Sequence, residues 1–406
     1  MGLLVAVLLA ARLPFLGHPI PVDVDELAFI GGLGFPAEYP VHHPGYPLWV
    51  ALGTLTHRLG LPAYAAFQVW SVAASLAAPL LLYRGLRWLV EESPAWWTAL
   101  AYGVCPLVWF LGTTALSYMT GGACGLAIVG LCCQAIRRAR TDLLWAAALL
   151  LIVGISLRAD LAIYLGPLVL WTGWKLGRRR FAAVALLLIA GGVLNLLLAR
   201  HLYTRGAGGT ISPSLAHTLD VVSGTSVFRL GLVDGLARNL VKIVLNFGWN
   251  LGLAAAAVPV CLLALWRRRR VLPRGVGGIL LLWIGPGLGF LSLMHVVQGY
   301  FVLPLAAAYA IIGLGLQAIR SPARRAAAAV AIVAASTAQF LFWPWTTEGS
   351  DLTRLLNAKI AYLSRAGLMQ VDRRGEIHSP GDTWRTAAHD RQNPPPAASS
   401  PGGDSP

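Results

Sequence analysis

Residues 137–180 read R-R-A-R-T-D-L-L-W-A-A-A-L-L-L-I-V-G-I-S-L-R-A-D-L-A-I-Y-L-G-P-L-V-L-W-T-G-W-K-L-G-R-R-R. Two apolar runs, 143–157 and 160–175, meet at Arg158-Ala159-Asp160, and arginines close both open ends. The runs are short against the ~20 residues of a membrane span, so their edges are soft. Read as a membrane hairpin, both open ends lie on one side of the bilayer. The bias of Lys and Arg toward cytoplasmic loops makes that side the cytoplasm.

The same pattern extends along the chain. Apolar runs at 2–17, 63–83, 95–115, 118–136, 143–157, 160–175, 181–199, 241–266, 276–295, 300–319 and 326–345 make about 11 transmembrane helices. Of the 406 residues, 57% are hydrophobic and 12% charged, with a mean hydropathy of +0.66. A soluble domain carries about 25% charged residues, so this composition excludes a water-soluble globule and gives an all-α polytopic membrane protein. The net charge of +15 would suggest nucleic acid in a soluble chain. Here the arginines flank apolar runs, so they read as topology signals and lipid-headgroup contacts, with no nucleic acid as partner.

Segment 46–59 is the ambiguous one. It is about 14 residues long and contains Pro47, His57 and Arg58, which suits an interfacial or re-entrant segment better than a span. If it does not cross, Arg84/Arg87, Arg137/Arg138/Arg140, Lys175/Arg178/Arg179/Arg180, the run 267–270 with Arg274, and Arg320/Arg324/Arg325 all fall on one side. That side is the cytoplasm, together with the amino terminus. The carboxyl terminus is then extracytoplasmic, and a bacterial plasma membrane is the expected location. The apolar start, 2–17, lacks a basic n-region and an A-x-A site and reads as a retained span rather than a cleaved signal.

The expected organisation is a transmembrane domain over 1–345 with a long first extracytoplasmic loop, 18–62, and a second at 200–240. Short outer turns fall at 116–117, 158–160 and 296–299. A surface segment follows over 346–378, where 351–365 has helical periodicity. The tail 379–406 has little apolar content and reads as disordered. The five cysteines, at 105, 124, 132, 133 and 261, lie in apolar runs without metal-ligand spacing and read as buried packing residues. Asn195, Asn246 and Asn250 inside apolar runs read as interhelical hydrogen bonders.

The chemistry-bearing residues collect on the outer side. Asp23, Asp25 and Glu26 place three carboxylates within four positions where the first run ends. Crowding of this kind raises some of their pKa values, and such a carboxylate suits a general base for a hydroxyl. Asp23 and Asp25 also form D-x-D, whose oxygens suit a divalent cation, so a cation stays open as cofactor; a solvated acidic turn is the plainer alternative. The segment His42-His43-Pro44-Gly45-Tyr46-Pro47-Leu48-Trp49 fixes a rigid, non-helical entry into the apolar stretch after it. Arg158 at a membrane edge suits a lipid phosphate, or equally pairs with Asp160 to staple two helices. His295, Gln298 and Tyr300 fall in another outer turn, where a core-satisfied His and an interface Tyr are the alternative. Charge parity rests on the arginine clusters alone, yet it gathers all these groups on one face.

The order D-x-x-E, a Gly-rich aliphatic stretch, then H-x-P-G-Y-P-L-aromatic resembles the first-loop signature of GT-C membrane glycosyltransferases. It is closest to the branch related to protein O-mannosyltransferases. Asp23 and Glu26 match the acidic pair, and Asp25-Glu26 matches an adjacent D-E pair. His42 matches the family His, while His43 stands for a Pro and Trp49 for a Tyr. The match covers about 27 residues of the loop, 23–49. Arg158-Ala159-Asp160 is similar to the family's R-x-D turn, and Gly299-Tyr300 to its G-Y turn.

The resemblance implies a GT-C-like bundle that moves a sugar from a polyprenyl-phosphate donor to an acceptor hydroxyl on protein, lipid or glycan, with inversion. Asp23 or Asp25 would be the base. Glu26, His42, His43 and Tyr46 would position substrate. Arg158 and His295 would stabilise the departing phosphate, where charge develops, and Asp160, Gln298 and Tyr300 would bind substrate. A transporter or lipid flippase is the rival from another class; no halves related as repeats support it. A non-catalytic envelope subunit is the third reading.

Overall fold

The computed structural model describes residues 1–13, 16, 24–31, 33, 46–206, 226–252, 254–267, 275–294, 296–342, 370–371 and 377–378. The first half holds helices α1 (Gly2–Arg12), α2 (Val24–Gly31), α3 (Pro47–Arg58), α4 (Ala63–Leu86), α5 (Glu92–Gly103), α6 (Pro106–Leu111) and α7 (Tyr118–Arg138). Then come α8 (Thr141–Leu157), α9 (Leu161–Leu176), α10 (Arg178–Gly206), the single turn α11 (Val227–Leu230), α12 (Leu232–Leu251) and α13 (Ala254–Arg267). The bundle closes with α14 (Val276–Leu293), a 3-10 turn at Gln298–Phe301, α15 (Val302–Gln317) and α16 (Pro322–Phe342). A two-residue antiparallel pair, Gln370–Val371 with Ile377–His378, is the only extended pairing among the described residues. The rest of the expected surface segment and the tail lie outside them.

α15 is the central post. Every residue from Val302 to Leu316 is buried, as a helix apolar on all sides requires. α7 meets it through glycines. A Cβ on Gly122 would lie 2.3 Å from Val302 Cγ1, and one on Gly125 2.7 Å from a Leu303 methyl. Small residues give this close approach, which drives association where no hydrophobic force acts between helices.

Among the described residues five helices are long and apolar enough to cross a membrane unaided, counting α15 with its 3-10 turn: α4, α7, α10, α14 and α15. α1, α8 and α9 are apolar but shorter. Two runs that read as single spans are broken. The run 95–115 divides into α5 and α6 because Pro106 cannot extend a helix and holds Cys105 extended (ψ 147°). The run 241–266 divides at Gly252, whose φ of 52° and ψ of −127° admit little but glycine, and α12 and α13 meet there at 103°. α3 agrees with the non-crossing reading of 46–59. At 12 residues it spans about 18 Å, and it folds back on α4 through Thr56 Oγ1, which donates to Ala66 O at 2.6 Å.

Each break carries a side chain that completes its backbone bonding. Arg12 is fully buried and donates to Gly103 O (3.0 Å) at the end of α5, to Ser75 Oγ (2.6 Å) and to Leu8 O (2.9 Å). Gln339 of α16 donates to Trp249 O at the end of α12. Asn239 donates to Ser292 O (3.0 Å) and Met294 O (3.4 Å) at the end of α14. Of the asparagines expected to bridge helices, Asn195 does so, donating to Ile152 O of α8 at 3.1 Å. Asn246 and Asn250 instead donate to Lys242 O and Asn246 O, four residues back in their own helix.

The two ends of the bundle differ. One gathers the starts of α4, α7 and α15 with the α8–α9 turn. The other carries the arginines, and there Arg325 pairs with Glu91 (2.6 Å), which Gln317 also contacts (3.0 Å). Gln317 first, then Arg325, hold the Glu91 carboxyl below its ordinary value. All five cysteines are free.

The α7–α15 contact gives a direct test. Gly122→Leu should force the two helices apart and cost about 1–3 kcal/mol, read as a lowered thermal midpoint in detergent, whereas Gly130→Leu, where an added Cβ meets nothing within 4 Å, should leave the midpoint near that of the parent.

Candidate active site at one end of the bundle

The site is built around Arg158. α8 ends at Leu157, and Arg158 leaves it in extended geometry (φ −157°, ψ 114°). That turn directs the side chain inward, and only 5% of the residue is exposed. Gly121 makes room, since a Cβ there would sit 2.8 Å from Arg158 Cδ. Arg158 Nε donates to Asp160 Oδ1 at 2.9 Å and Nη1 to Ser117 Oγ at 3.2 Å. These two bonds fix the plane of the guanidinium.

Three tyrosines ring it. The guanidinium carbon lies 3.7 Å from the Tyr118 ring centre, 5.3 Å from Tyr300 and 5.5 Å from Tyr46. Aromatic faces attract a cation in this range. Tyr118 reaches its place because position 299 is glycine. A Cβ there would lie 2.2 Å from the Tyr118 ring. Tyr164 packs edge-on to Tyr300 at 6.5 Å, and its buried hydroxyl has no hydrogen-bond partner among the described residues. Burial is the largest single influence and works against the Arg158 charge, but Asp160 and the surrounding Tyr46, Tyr118 and Tyr300 together outweigh it and hold the guanidinium more firmly protonated than in water.

Tyr46 is strained. Its φ of 37° and ψ of 58° are left-handed, a conformation that costs a non-glycine residue about 1–3 kcal/mol and is doubly disfavoured before proline. Phe29 holds it edge-on at 5.8 Å, and Trp49 and Phe67 complete the cluster. The Trp49 indole N–H, also buried, has no hydrogen-bond partner among the described residues. Burial pushes the Tyr46 phenol up, and Arg158 pulls it the other way.

α2 sends its two carboxylates in different directions, as adjacent positions about 100° apart around a helix must go. Asp25 is partly exposed, and its charge acts on Tyr46, Tyr118 and Tyr300. Glu26 is fully buried; Oε1 accepts the Ala115 amide at 2.6 Å and faces the Tyr64 hydroxyl at 3.4 Å. It thereby anchors the turn that carries Ser117 and Tyr118.

Of the residues singled out in the sequence, the structure brings Asp25, Tyr46, Arg158, Asp160 and Tyr300 together and sets Glu26 behind them. Asp23, His42, His43, His295 and the side chain of Gln298 lie outside the described residues. Among the described residues no three His, Cys, Asp or Glu side chains are grouped to hold a metal ion. Ser117, Tyr118 and Tyr164 are additions. Ser117 and Tyr118 border a turn that parity assigns to the same face, which is the signal that marks them.

This arrangement sits in a known architecture. The chain matches the crystal structure of ArnT from Cupriavidus metallidurans bound to undecaprenyl phosphate at a TM-score of 0.58 and 16% identity, over 90% of this chain and 70% of that one. It matches the same protein in the apo state at 0.55 and 16%, over 90% and 69%. The fold is GT-C. It is the fold of a multi-pass membrane protein, and at this identity the likeness extends to the fold alone. No protein-family model and no curated protein matches the sequence.

The buried pair at the centre of this site makes a second test. Asp160→Asn leaves the Arg158 charge buried without its carboxylate and should destabilise the protein by about 3–5 kcal/mol. Replacing both partners, Arg158→Met with Asp160→Leu, should cost less than the two single changes added together. Unfolding of the parent, Arg158→Met, Asp160→Leu and the double change in detergent measures this, and strict additivity would count against the pair.

Proposed function

We propose that the protein is a membrane glycosyltransferase that moves a hexose from a polyprenyl-phosphate donor to an acceptor hydroxyl, at the bundle end that holds Arg158. The observation that carries this reading is the buried, plane-fixed guanidinium ringed by tyrosines, in a fold shared with a protein that binds undecaprenyl phosphate.

The acceptor oxygen attacks the anomeric carbon, and the bond from that carbon to the phosphate oxygen breaks with inversion. Asp25 takes the hydroxyl proton, with Asp23 as the alternative base. Arg158 meets the phosphate as its charge grows, and a fixed guanidinium needs no reorganisation at that moment. Tyr46 and Tyr300 line the donor and acceptor positions, and His42, His43, His295 and Gln298 are assigned to substrate from the sequence motif alone. Asp160 and Glu26 are positioning residues, the first holding Arg158 and the second the Ser117 turn. A lipid-phosphate leaving group already carries its charge, so the chemistry does not require a divalent cation, although Asp23 and Asp25 offer oxygen ligands. The acceptor is a protein, lipid or glycan of the cell envelope. The arginine-rich end faces the cytoplasm with the amino terminus, which sets the site on the extracytoplasmic face.

Purified protein in lipid, given radiolabelled polyprenyl-phosphate hexoses and a membrane extract as acceptor, provides the assay. Arg158→Ala should lower turnover by about 10²–10³-fold. Asp25→Asn should lower it by about 10²–10⁴-fold, with Asp23→Asn run beside it to identify the base. Unchanged transfer in Arg158→Ala would remove the role given to the guanidinium. Labelled lipid crossing the bilayer with no sugar transferred would make the protein a flippase.

A further inference from the structure

A second feature lies at the opposite, arginine-rich end. The ends of α4 and α7 and the start of α14 frame an apolar groove, with Ala310 of α15 at its back. Its walls are Leu82, Leu126, Val129 and Ile279, and Trp88 and Arg137 stand at its mouth. Two glycines keep it open, since a Cβ added to Gly85 or Gly130 meets nothing within 4 Å.

Its length is informative. From Leu126 to Arg137 along α7 is about 16 Å at 1.5 Å per residue. That is about half of the ~30 Å apolar thickness of a bilayer. The groove is therefore one leaflet deep, the reach of a single acyl chain.

Its mouth is cationic. The Arg138 guanidinium stacks 4.5 Å from the centre of the Trp88 ring, with that of Arg137 at 5.8 Å. Arg137 Nη1 also donates to Trp88 O at 2.5 Å. Neighbouring arginines have carboxylates, Arg87 with Glu92 and Arg140 with Asp142. Among the described residues Arg137 and Arg138 pair with none. Within the wall, Trp283 is 5% exposed and its indole N–H has no hydrogen-bond partner among the described residues. A basic rim over an apolar slot between membrane helices is complementary to an anionic lipid head with its chain below.

We propose that this groove is a binding site for one anionic phospholipid, with its phosphate on Arg137 and Arg138 and an acyl chain lying along α7 between α4 and α14. The site does not depend on the glycosyltransferase reading, because it lies at the other end of the bundle and shares no residue with the Arg158 cluster.

The test uses the full chain, delipidated in detergent and titrated with phosphatidylglycerol or phosphatidylcholine, with bound lipid read as mass adducts of the intact protein. The parent should retain one phosphatidylglycerol and bind phosphatidylcholine at least ~10-fold more weakly. Gly130→Phe, which fills the slot, and Arg137→Gln with Arg138→Gln, which removes the phosphate contacts, should each weaken phosphatidylglycerol binding by ~10-fold or more. Equal binding of the two lipids would overturn the proposal, as would Gly130→Phe that is folded and binds like the parent. Displacement of bound phosphatidylglycerol by a polyprenyl phosphate at equal concentration would also overturn it. Should Gly130→Phe not fold, the arginine variant and the lipid comparison decide the question alone.

Discussion

A membrane interior tolerates no unpaired backbone amide or carbonyl, and this chain breaks two apolar runs, at Cys105-Pro106 and at Gly252, and ends other helices at turns on the bundle's end. Each break survives because one side chain completes its bonding. Arg12 closes the end of α5, Gln339 the end of α12, Asn239 the end of α14, and the Glu26 carboxylate takes the Ala115 amide. The architecture follows from these closures, since without the breaks 95–115 and 241–266 would be plain spans. The break after α6 and the Glu26 bond together set Ser117 and Tyr118 beside Arg158.

Much of this was legible in the sequence. Composition and arginine placement alone established the all-α membrane class. Parity, fixed by Arg84, Arg137 and their like, assigned 116–117, 158–160 and 296–299 to one face, and the structure joins those turns through the Arg158–Ser117 bond and the Tyr118–Tyr300 contact. The Cys105-Pro106 step was visible inside an apolar run that averaging over a window treats as continuous. What could not be read were partners remote in sequence. Nothing near Glu26 announces that it will accept an amide 89 residues away. Gly299 carries no local signal either, because its meaning lies in the Tyr118 ring that fills the space a Cβ would need.

Adjacent residues in the first loop illustrate how helical geometry converts a motif into separate tasks. Asp25 and Glu26 look equivalent as a D-E pair, yet one turns toward the tyrosine ring and the other into the core. A general base needs access to its substrate. Glu26 is fully buried and committed to a backbone amide, so its carboxylate supports the turn, whereas Asp25 keeps the exposure a base requires. Tyr46 carries the same lesson in its backbone: a left-handed residue before proline persists only where its surroundings over-determine it, and here Phe29 and Arg158 do so.

The two buried arginines separate structure from chemistry. Arg12 lies midway along α4 beside Ser75, the depth where a transporter would hold a charged site. Yet the donors of its hydrogen bonds go to neutral oxygens, Gly103 O, Leu8 O and the Ser75 hydroxyl and carbonyl. It is sealed, with four hydrogen bonds already made to neutral oxygens, and an anion arriving there would have to displace backbone bonds that no water could replace. Arg158 stands at the end of the bundle, held by one carboxylate and one hydroxyl and otherwise faced by aromatic rings. Those rings stabilise the cation through their faces, and the Tyr300 hydroxyl, which also bonds to it, is a neutral partner where a second carboxylate would be a charged one. Of the two, Arg158 is the one whose contacts leave room for an anionic partner, which is why the proposed ligand chemistry is assigned to the bundle's end and the mid-depth charge to the fold.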